Sequence, residues 1–105
     1  PKDEVEAMVA EFGIRRGLIA DGLRSIPGVN CPEPEGAFYA FPSIKDTGLT
    51  SAEFEDRAMN EAGVALLSGS AFGEFGEGYV RLSYANSQDN IKQAIDKLDK
   101  MVRAL

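Results

Sequence analysis

Histidine is absent from this chain, and cysteine occurs once, as Cys31. The first absence removes imidazole general bases, histidine-based triads and most histidine metal sites in one step. With a single cysteine it also excludes a zinc site built within the chain. A lone thiol excludes an intrachain disulfide and fits a reducing, cytoplasmic compartment. Long apolar runs are missing too. None approaches the roughly 18 residues needed to span a bilayer, and no signal peptide is visible. Cations are in short supply: 11 Lys and Arg stand against 17 Asp and Glu, a formal net charge of −6. That balance argues against nucleic acid or an anionic membrane surface as the main partner. Any catalysis would have to rest on carboxylates, lysines or tyrosines.

What is present is enough for one domain, 105 residues of which 44% are apolar, near the commonest domain size. The chain opens on Pro1 and soon enters a helical pattern, which points to a domain cut from a longer protein. Residues 3–25 read as a helix, with Val5, Met8, Val9, Phe12, Ile19, Leu23 and Ile26 mostly on one face of a 3.6-residue period. Asp3, Glu4 and Glu6 near its start and Arg24 near its end suit the helix dipole. Gly13, Gly17 and Gly22 each cost about 1 kcal/mol in a helix interior, so a bend or close packing is expected near Gly13 and Gly17. Pro27 stops the helix.

Two strands are expected next, Val29–Cys31 and Ala37–Phe41, paired as an antiparallel hairpin across a loop holding Pro32 and Pro34. Thr50-Ser-Ala-Glu53 is a capping box, with Leu49 and Phe54 at the hydrophobic-staple positions. Gly63 suits a left-handed cap, with Val64 placed to touch Met59. These signals predict a helix over 51–62. Val64–Leu67 reads as a buried strand, 68–78 as a glycine-rich loop, and Tyr79–Tyr84 as a strand. A last helix starts after Asn86 or Ser87, with an apolar stripe from Ile91 to Leu105 and an outer Asp96–Lys100 pair. The order is α-β-β-α-β-β-α. The fold class is α/β (α+β), a two-layer sandwich of helices on a small, mostly antiparallel sheet.

The chemistry is sparse. Strand alternation puts Tyr79, Arg81 and Ser83 on one face and Val80, Leu82 and Tyr84 on the core face. Guanidinium matches a carboxylate through two parallel hydrogen bonds. Strand pattern alone leaves two readings of Arg81, and it favours a solvated arginine over a carboxylate site. The loop glycines Gly69, Gly73, Gly76 and Gly78 follow neither the P-loop nor the dinucleotide spacing, and Glu74 and Glu77 would repel phosphate. Glu53, Glu55 and Asp56 are explained by the helix start, and Glu33 and Glu35 flank a proline in a loop. Lys2, Lys45, Lys92, Lys97 and Lys100 lie on a terminus, a loop or a polar helix face, none in an apolar pocket that would lower its pKa. Arg15-Arg16 reads as an exposed or interdomain patch, and Cys31 as a half-buried small residue. No catalytic, cofactor-binding or metal-binding residue is assigned.

Several stretches occur together in order: Pro27-Gly-Val, Pro34-Glu-Gly-Ala-Phe-Tyr39, Glu61-Ala-Gly-Val64, Ser68-Gly-Ser-Ala-Phe-Gly73 and Gly78-Tyr-Val-Arg-Leu-Ser-Tyr-Ala85. From about Phe12 to the C-terminus the chain resembles the C-terminal small domain of class I/II, fold type I aminotransferases, of the bacterial aspartate aminotransferase kind. The resemblance implies one small domain over 1–105, lacking a large domain that holds pyridoxal phosphate and the Schiff-base lysine. It implies that Arg81 binds the substrate α-carboxylate and that Phe38 lines the substrate pocket. It implies an amino acid and a 2-oxo acid of aspartate or aromatic type as substrates, contact with its own large domain, and a homodimer in the full-length enzyme. The isolated domain is expected to be inactive. Related small domains occur in C–S lyases and aminocyclopropane carboxylate synthases, and an amino-acid-binding effector domain of a transcription regulator is the reading from another class.

Overall fold

The computed structural model describes residues 2–32, 39–84 and 86–105. Helix α1 runs unbroken over Lys2–Ser25. Strand β1 is Tyr39–Ala40, and helix α2 is Ser51–Arg57, continued by a wide π-wound turn over Ala58–Ala62. Strand β2 is Leu67–Ser68, β3 is Val80–Ser83, and helix α3 is Gln88–Arg103. The sheet order is β1-β3-β2, antiparallel throughout, so β3 is the central strand. One sheet face is covered. Ala40, Ser68, Val80 and Leu82 are buried there, in a core shared with Ile19, Leu23, Phe54 and Leu98. Each fully buried side chain of that size contributes about 1.5–3 kcal/mol. The opposite face carries Tyr39, Leu67, Arg81 and Ser83 and stays open. The expected two-layer arrangement of helices on an antiparallel sheet is the observed one.

The expected hairpin is realised in a different register. Asn30 pairs with Ser43, each donating its N–H to the other's carbonyl at 2.9 and 2.7 Å. The next hydrogen-bonded pair in that register would need an N–H from Pro32, which has none, so the pairing ends after one bridge. Cys31, just before it, gives its carbonyl to Arg24 Nε at 2.6 Å and buries its side chain in the core. The segment from Tyr39 to Ser43 pairs instead with β3. Tyr39 faces Ser83, Ala40 faces Leu82 and Ser43 faces Tyr79, one register that skips Phe41 and Pro42, where Val80 N–H still reaches the Pro42 carbonyl at 3.2 Å. Ala37, at the start of the expected strand, lies outside the described residues.

Local helix signals hold at both ends of α2. Thr50 Oγ1 accepts from Glu53 N–H at 3.2 Å, and Glu53 Oε1 accepts from Thr50 N–H at 2.9 Å. Hydrogen bonding to Thr50, its backbone N–H first and then its side chain, holds the Glu53 carboxyl below its ordinary range. Gly63 closes the helix at φ 67°. The wide last turn carries an extra residue, so Val64 N–H reaches the Ala58 carbonyl at 2.9 Å. Val64 turns into the core, while Met59, its expected contact, is exposed. Val64–Leu67 is therefore not one buried strand: Val64 and Leu66 are buried, Ala65 and Leu67 are exposed, and pairing begins at Leu67.

Helix α1 departs from its expected apolar face. Only Ile19, Ala20, Leu23 and Ile26 enter the core, and Val5, Met8 and Val9 are exposed. Gly13 and Gly17 have open space where a side chain would sit. The close approach falls at Gly22 instead, where a Cβ would lie 2.8 Å from Ile95 Cγ1 of α3. Helix α3 starts at Ser87, whose Oγ accepts from Asn90 N–H at 3.1 Å, and its Asp96–Lys100 pair is exposed at 3.1 Å. A polar tie joins α1 to α3: Gln88 Nε2 donates to both Glu11 oxygens at 3.0 Å. Gln88 first, then Arg15, lowers the Glu11 pKa. Among the described residues no helix is long and apolar enough to cross a membrane.

Two tests of this frame are direct. Ser51, fully buried, accepts from Gly78 N–H at 2.6 Å. Ser51→Ala strands a buried N–H and should cost about 1–3 kcal/mol, read as a lower urea midpoint. Because the folded pKa of Glu11 is depressed, its contribution is present above the unfolded pKa and is lost as pH falls through the folded value. A Gln88→Leu variant should therefore lose less stability than the parent on acidification through the carboxylate range. Parallel pH–stability curves would contradict the tie.

Candidate anion-binding site

The open sheet face is built outward from β3. Burial of Val80 and Leu82 fixes the strand's phase, so Arg81 between them must point to the other side. Across the strand, Leu67 of β2 faces Arg81 and Tyr39 of β1 faces Ser83. A cleft of about 170 Å³ opens there, lined by Tyr39, Ala65, Leu66, Leu67, Arg81 and Ser83. The Arg81 guanidinium carbon lies over two rings, 4.4 Å from the centroid of Tyr39 and 4.6 Å from that of Phe72. Both are cation–π contacts well inside the working range.

Arg81 differs from four of the chain's five other arginines. Arg15 pairs with Glu11, Arg24 with Asp21, Arg57 with Glu61 and Arg103 with Asp99, each one helical turn away. Among the described residues no carboxylate pairs with Arg81. Its N–H groups lie in the guanidinium plane, and contacts to ring faces leave them available. A half-buried cation that lies over two rings and has no acidic partner among the described residues is a candidate to receive an anion from outside.

The glycine-rich loop shapes this site without cradling a ligand. After β2 the chain makes two short 3₁₀ turns, Gly69–Phe72 and Glu74–Gly76. Gly69 and Gly76 lie backbone to backbone: a Cβ on either would overlap the other's carbonyl oxygen. Gly69 N–H reaches the Tyr79 carbonyl at 2.7 Å, and Tyr79 N–H reaches that of Gly76 at 3.0 Å. Gly69 and Gly76 therefore pack on the loop itself, while Gly78 approaches the Lys45 side chain. Helix α2 secures both ends. Glu55 Oε2 accepts from Ser68 N–H at 3.2 Å, and Glu77 Oε1 accepts from Ser51 N–H at 3.2 Å. Phe72 is thereby held beside Arg81.

Of the two residues singled out from sequence, Arg81 occupies the site. Phe38 lies outside the described residues, directly before Tyr39. Sequence reasoning missed Tyr39 and Phe72. The signal for Tyr39 was the pairing of its strand with β3, hidden by the expected pairing with Val29–Cys31. Phe72 carries no local signal. Elsewhere, Lys45, Lys92, Lys97 and Lys100 are exposed. Arg15 binds Glu11, so that half of the basic pair is committed within the chain. Among the described residues no group of three acidic or thiol side chains is placed to hold a metal. A larger groove, about 720 Å³ between α1 and α3, is lined by Gly13, Ile14, Gly17, Leu18 and Ile95, with Asp21, Asp96 and Asp99. It offers Lys92 as its one cation among the described lining residues and no convergent set of donors.

A two-layer α/β domain whose open sheet face carries an arginine without an acidic partner among the described residues is a candidate of the small-anion-binding class. The comparisons with known proteins sharpen that class. No family model matches the chain. Aspartate aminotransferase of Pyrococcus abyssi is 48% identical over 99 residues, 94% of this chain and 25% of that protein. Aromatic-amino-acid aminotransferase 2 of Thermococcus litoralis is 46% identical over 99 residues, with the same coverage of 94% and 25%. The structure of an alanine aminotransferase from Pyrococcus furiosus superposes with a TM-score of 0.93 at 31% identity, covering 100% of this chain and 27% of that one. The chain belongs with the fold type I aminotransferases as a domain of their small-domain kind, and it spans about a quarter of the length of the curated relatives it matches.

The loop's self-packing gives a test. Gly69→Ala places a methyl group against a backbone carbonyl that cannot rotate away. It should destabilise by about 1–3 kcal/mol, measured by denaturant midpoint, and should weaken anion binding at Arg81 by displacing Phe72. An unchanged midpoint would refute the close packing.

Proposed function

We propose that this chain is the small domain of a pyridoxal-phosphate-dependent aminotransferase and that Arg81 binds the α-carboxylate of its substrate. The observation that carries the reading is the Arg81 guanidinium, stacked over Tyr39 and Phe72 and lacking an acidic partner among the described residues. The substrates are an amino acid and a 2-oxo acid, of the aspartate or aromatic type that the relatives' names indicate. Phe38 is proposed to line the substrate pocket, on the strength of the family resemblance and its place next to Tyr39. The C–S lyase, aminocyclopropane carboxylate synthase and transcription-regulator readings draw no support from the named relatives.

In this family pyridoxal phosphate supplies the electron sink. The described residues do not fit that group. The lysines Lys45, Lys92, Lys97 and Lys100 are exposed on a loop or on α3, outside the apolar enclosure that a Schiff-base lysine needs. Gly69 and Gly76 close on each other and leave no backbone cradle for phosphate. We assign the cofactor, its lysine and the proton transfer to a large domain outside this chain, within a cytoplasmic homodimer.

The contribution of this chain is positional. Two parallel N–H···O bonds from Arg81 fix a carboxylate in plane as well as in place. The open face of β3 sits above a packed core, so the guanidinium is carried on a rigid strand rather than a mobile loop. In a chain of net charge −6, a local cation is also what lets an anionic substrate approach this face.

The test is made in the full-length protein. A charge-assisted pair is worth about 1.5–3 kcal/mol, so Arg81→Ala should lower kcat/KM for transamination at least about tenfold. Arg81→Lys keeps the charge, loses the fork and should recover only part of the loss. An unchanged kcat/KM in Arg81→Ala would overturn the assignment.

A further inference from the structure

We propose that Tyr39 and Phe72 are specificity-determining positioning residues. They hold the Arg81 guanidinium between two rings so that only its edge is offered, which selects a planar carboxylate over a tetrahedral oxyanion of the same charge. The inference rests on Arg81 being the carboxylate-binding group.

The strand order supplies the geometry. With β3 between β1 and β2, Tyr39 reaches Arg81 from one flank, and Phe72, in the turn that follows β2, reaches it from the other. The guanidinium carbon is 4.4 Å from one ring centroid and 4.6 Å from the other. Neither ring is spent on the core, since Tyr39 is 39% and Phe72 52% exposed. What they cover is the cation, and stacking of this kind restricts the guanidinium plane without using its N–H groups. Two other cations that lie over rings among the described residues are built differently. Arg15 lies 5.5 Å from the Phe12 centroid, but its Nε is taken by Glu11 at 3.0 Å. Lys45 lies 4.8 Å from that of Tyr79, and an ammonium has no plane to fix.

The selectivity follows from shape. Both oxygens of a carboxylate lie in the guanidinium plane when it pairs bidentately. A sulfonate pairing through two oxygens carries a third that stands out of that plane, against one of the rings. Removing a ring should both loosen the guanidinium and admit the third oxygen. Wild-type enzyme should therefore prefer the carboxylate, and loss of a ring should erode that preference from both sides.

The experiment measures competitive inhibition of the full-length enzyme by a matched pair of anions, 3-phenylpropionate against 2-phenylethanesulfonate. Wild type should bind the carboxylate of the pair more tightly. Phe72→Leu and Tyr39→Leu should weaken the carboxylate about three- to tenfold and shrink the carboxylate-to-sulfonate ratio. Phe72→Tyr and Tyr39→Phe, which keep the rings, should retain it. If Phe72→Leu does not fold, Tyr39→Leu decides alone. Leucine variants that keep the wild-type ratio, or that weaken both anions equally, overturn the clamp. Arg81→Gln separates the two levels. At least a tenfold weakening there with an unchanged ratio in the leucine variants sinks only the clamp; no weakening there sinks the reading of Arg81 itself.

Discussion

Burial of Val80 and Leu82 on the central strand is the constraint on which the rest of this molecule turns. Both side chains are almost wholly removed from water, and a strand's pleat allows no choice about the residue between them. Arg81 is thereby committed to the open face by the core beneath it. A register slip that moved the guanidinium inward would bury an unpaired charge and expose two aliphatic side chains, so the packing of the core and the placement of the cation enforce each other. That coupling is why a permanent charge can stand mid-strand without an acidic partner among the described residues.

The second half of the site is held by backbone chemistry rather than by side-chain burial. The start of α2 is fixed by its Thr50–Glu53 box, and that leaves Ser51 at the first turn with an N–H to donate and a hydroxyl to offer. Glu77 takes the first and Gly78 the second, while Glu55, further along the same helix, takes Ser68 N–H. The loop between Ser68 and Gly78 is pinned at both ends by one short helix. Between the pins Gly69 and Gly76 meet backbone to backbone, and the chain has no room to drift. Phe72 is carried by this closed loop to within 4.6 Å of the Arg81 guanidinium carbon. A helix cap thus bears on the orientation of a guanidinium several elements away.

Most of the element order was legible from residues. The capping box, the left-handed glycine at position 63, the apolar stripe of α3 and the phase of β3 are written in neighbouring positions, and each is where the pattern puts it except Leu105, which lies exposed beyond the end of α3. The departures are as instructive. Val5, Met8 and Val9 follow helical spacing yet stand exposed, because periodicity fixes a helix and its face but not whether anything lies opposite. Val29–Cys31 was expected to pair with the strand at Ala37–Phe41. It meets Ser43 instead, because Pro32 withholds the next N–H and β3 claims Tyr39 and Ala40.

The family resemblance pointed to Arg81 and Phe38, and the strand pattern put Arg81 on the open face; neither found the rings that hold it. Alternation along a strand and hydrogen bonding at a helix end act over a few consecutive residues, so the identities of those residues are enough to read them. Which ring meets a guanidinium depends on strand order and on the close approach of backbones distant along the chain. Tyr39 reaches Arg81 because β1 lies beside β3, and Phe72 because two glycines let the loop close. Those are decisions of packing between segments, made only when the whole chain has folded.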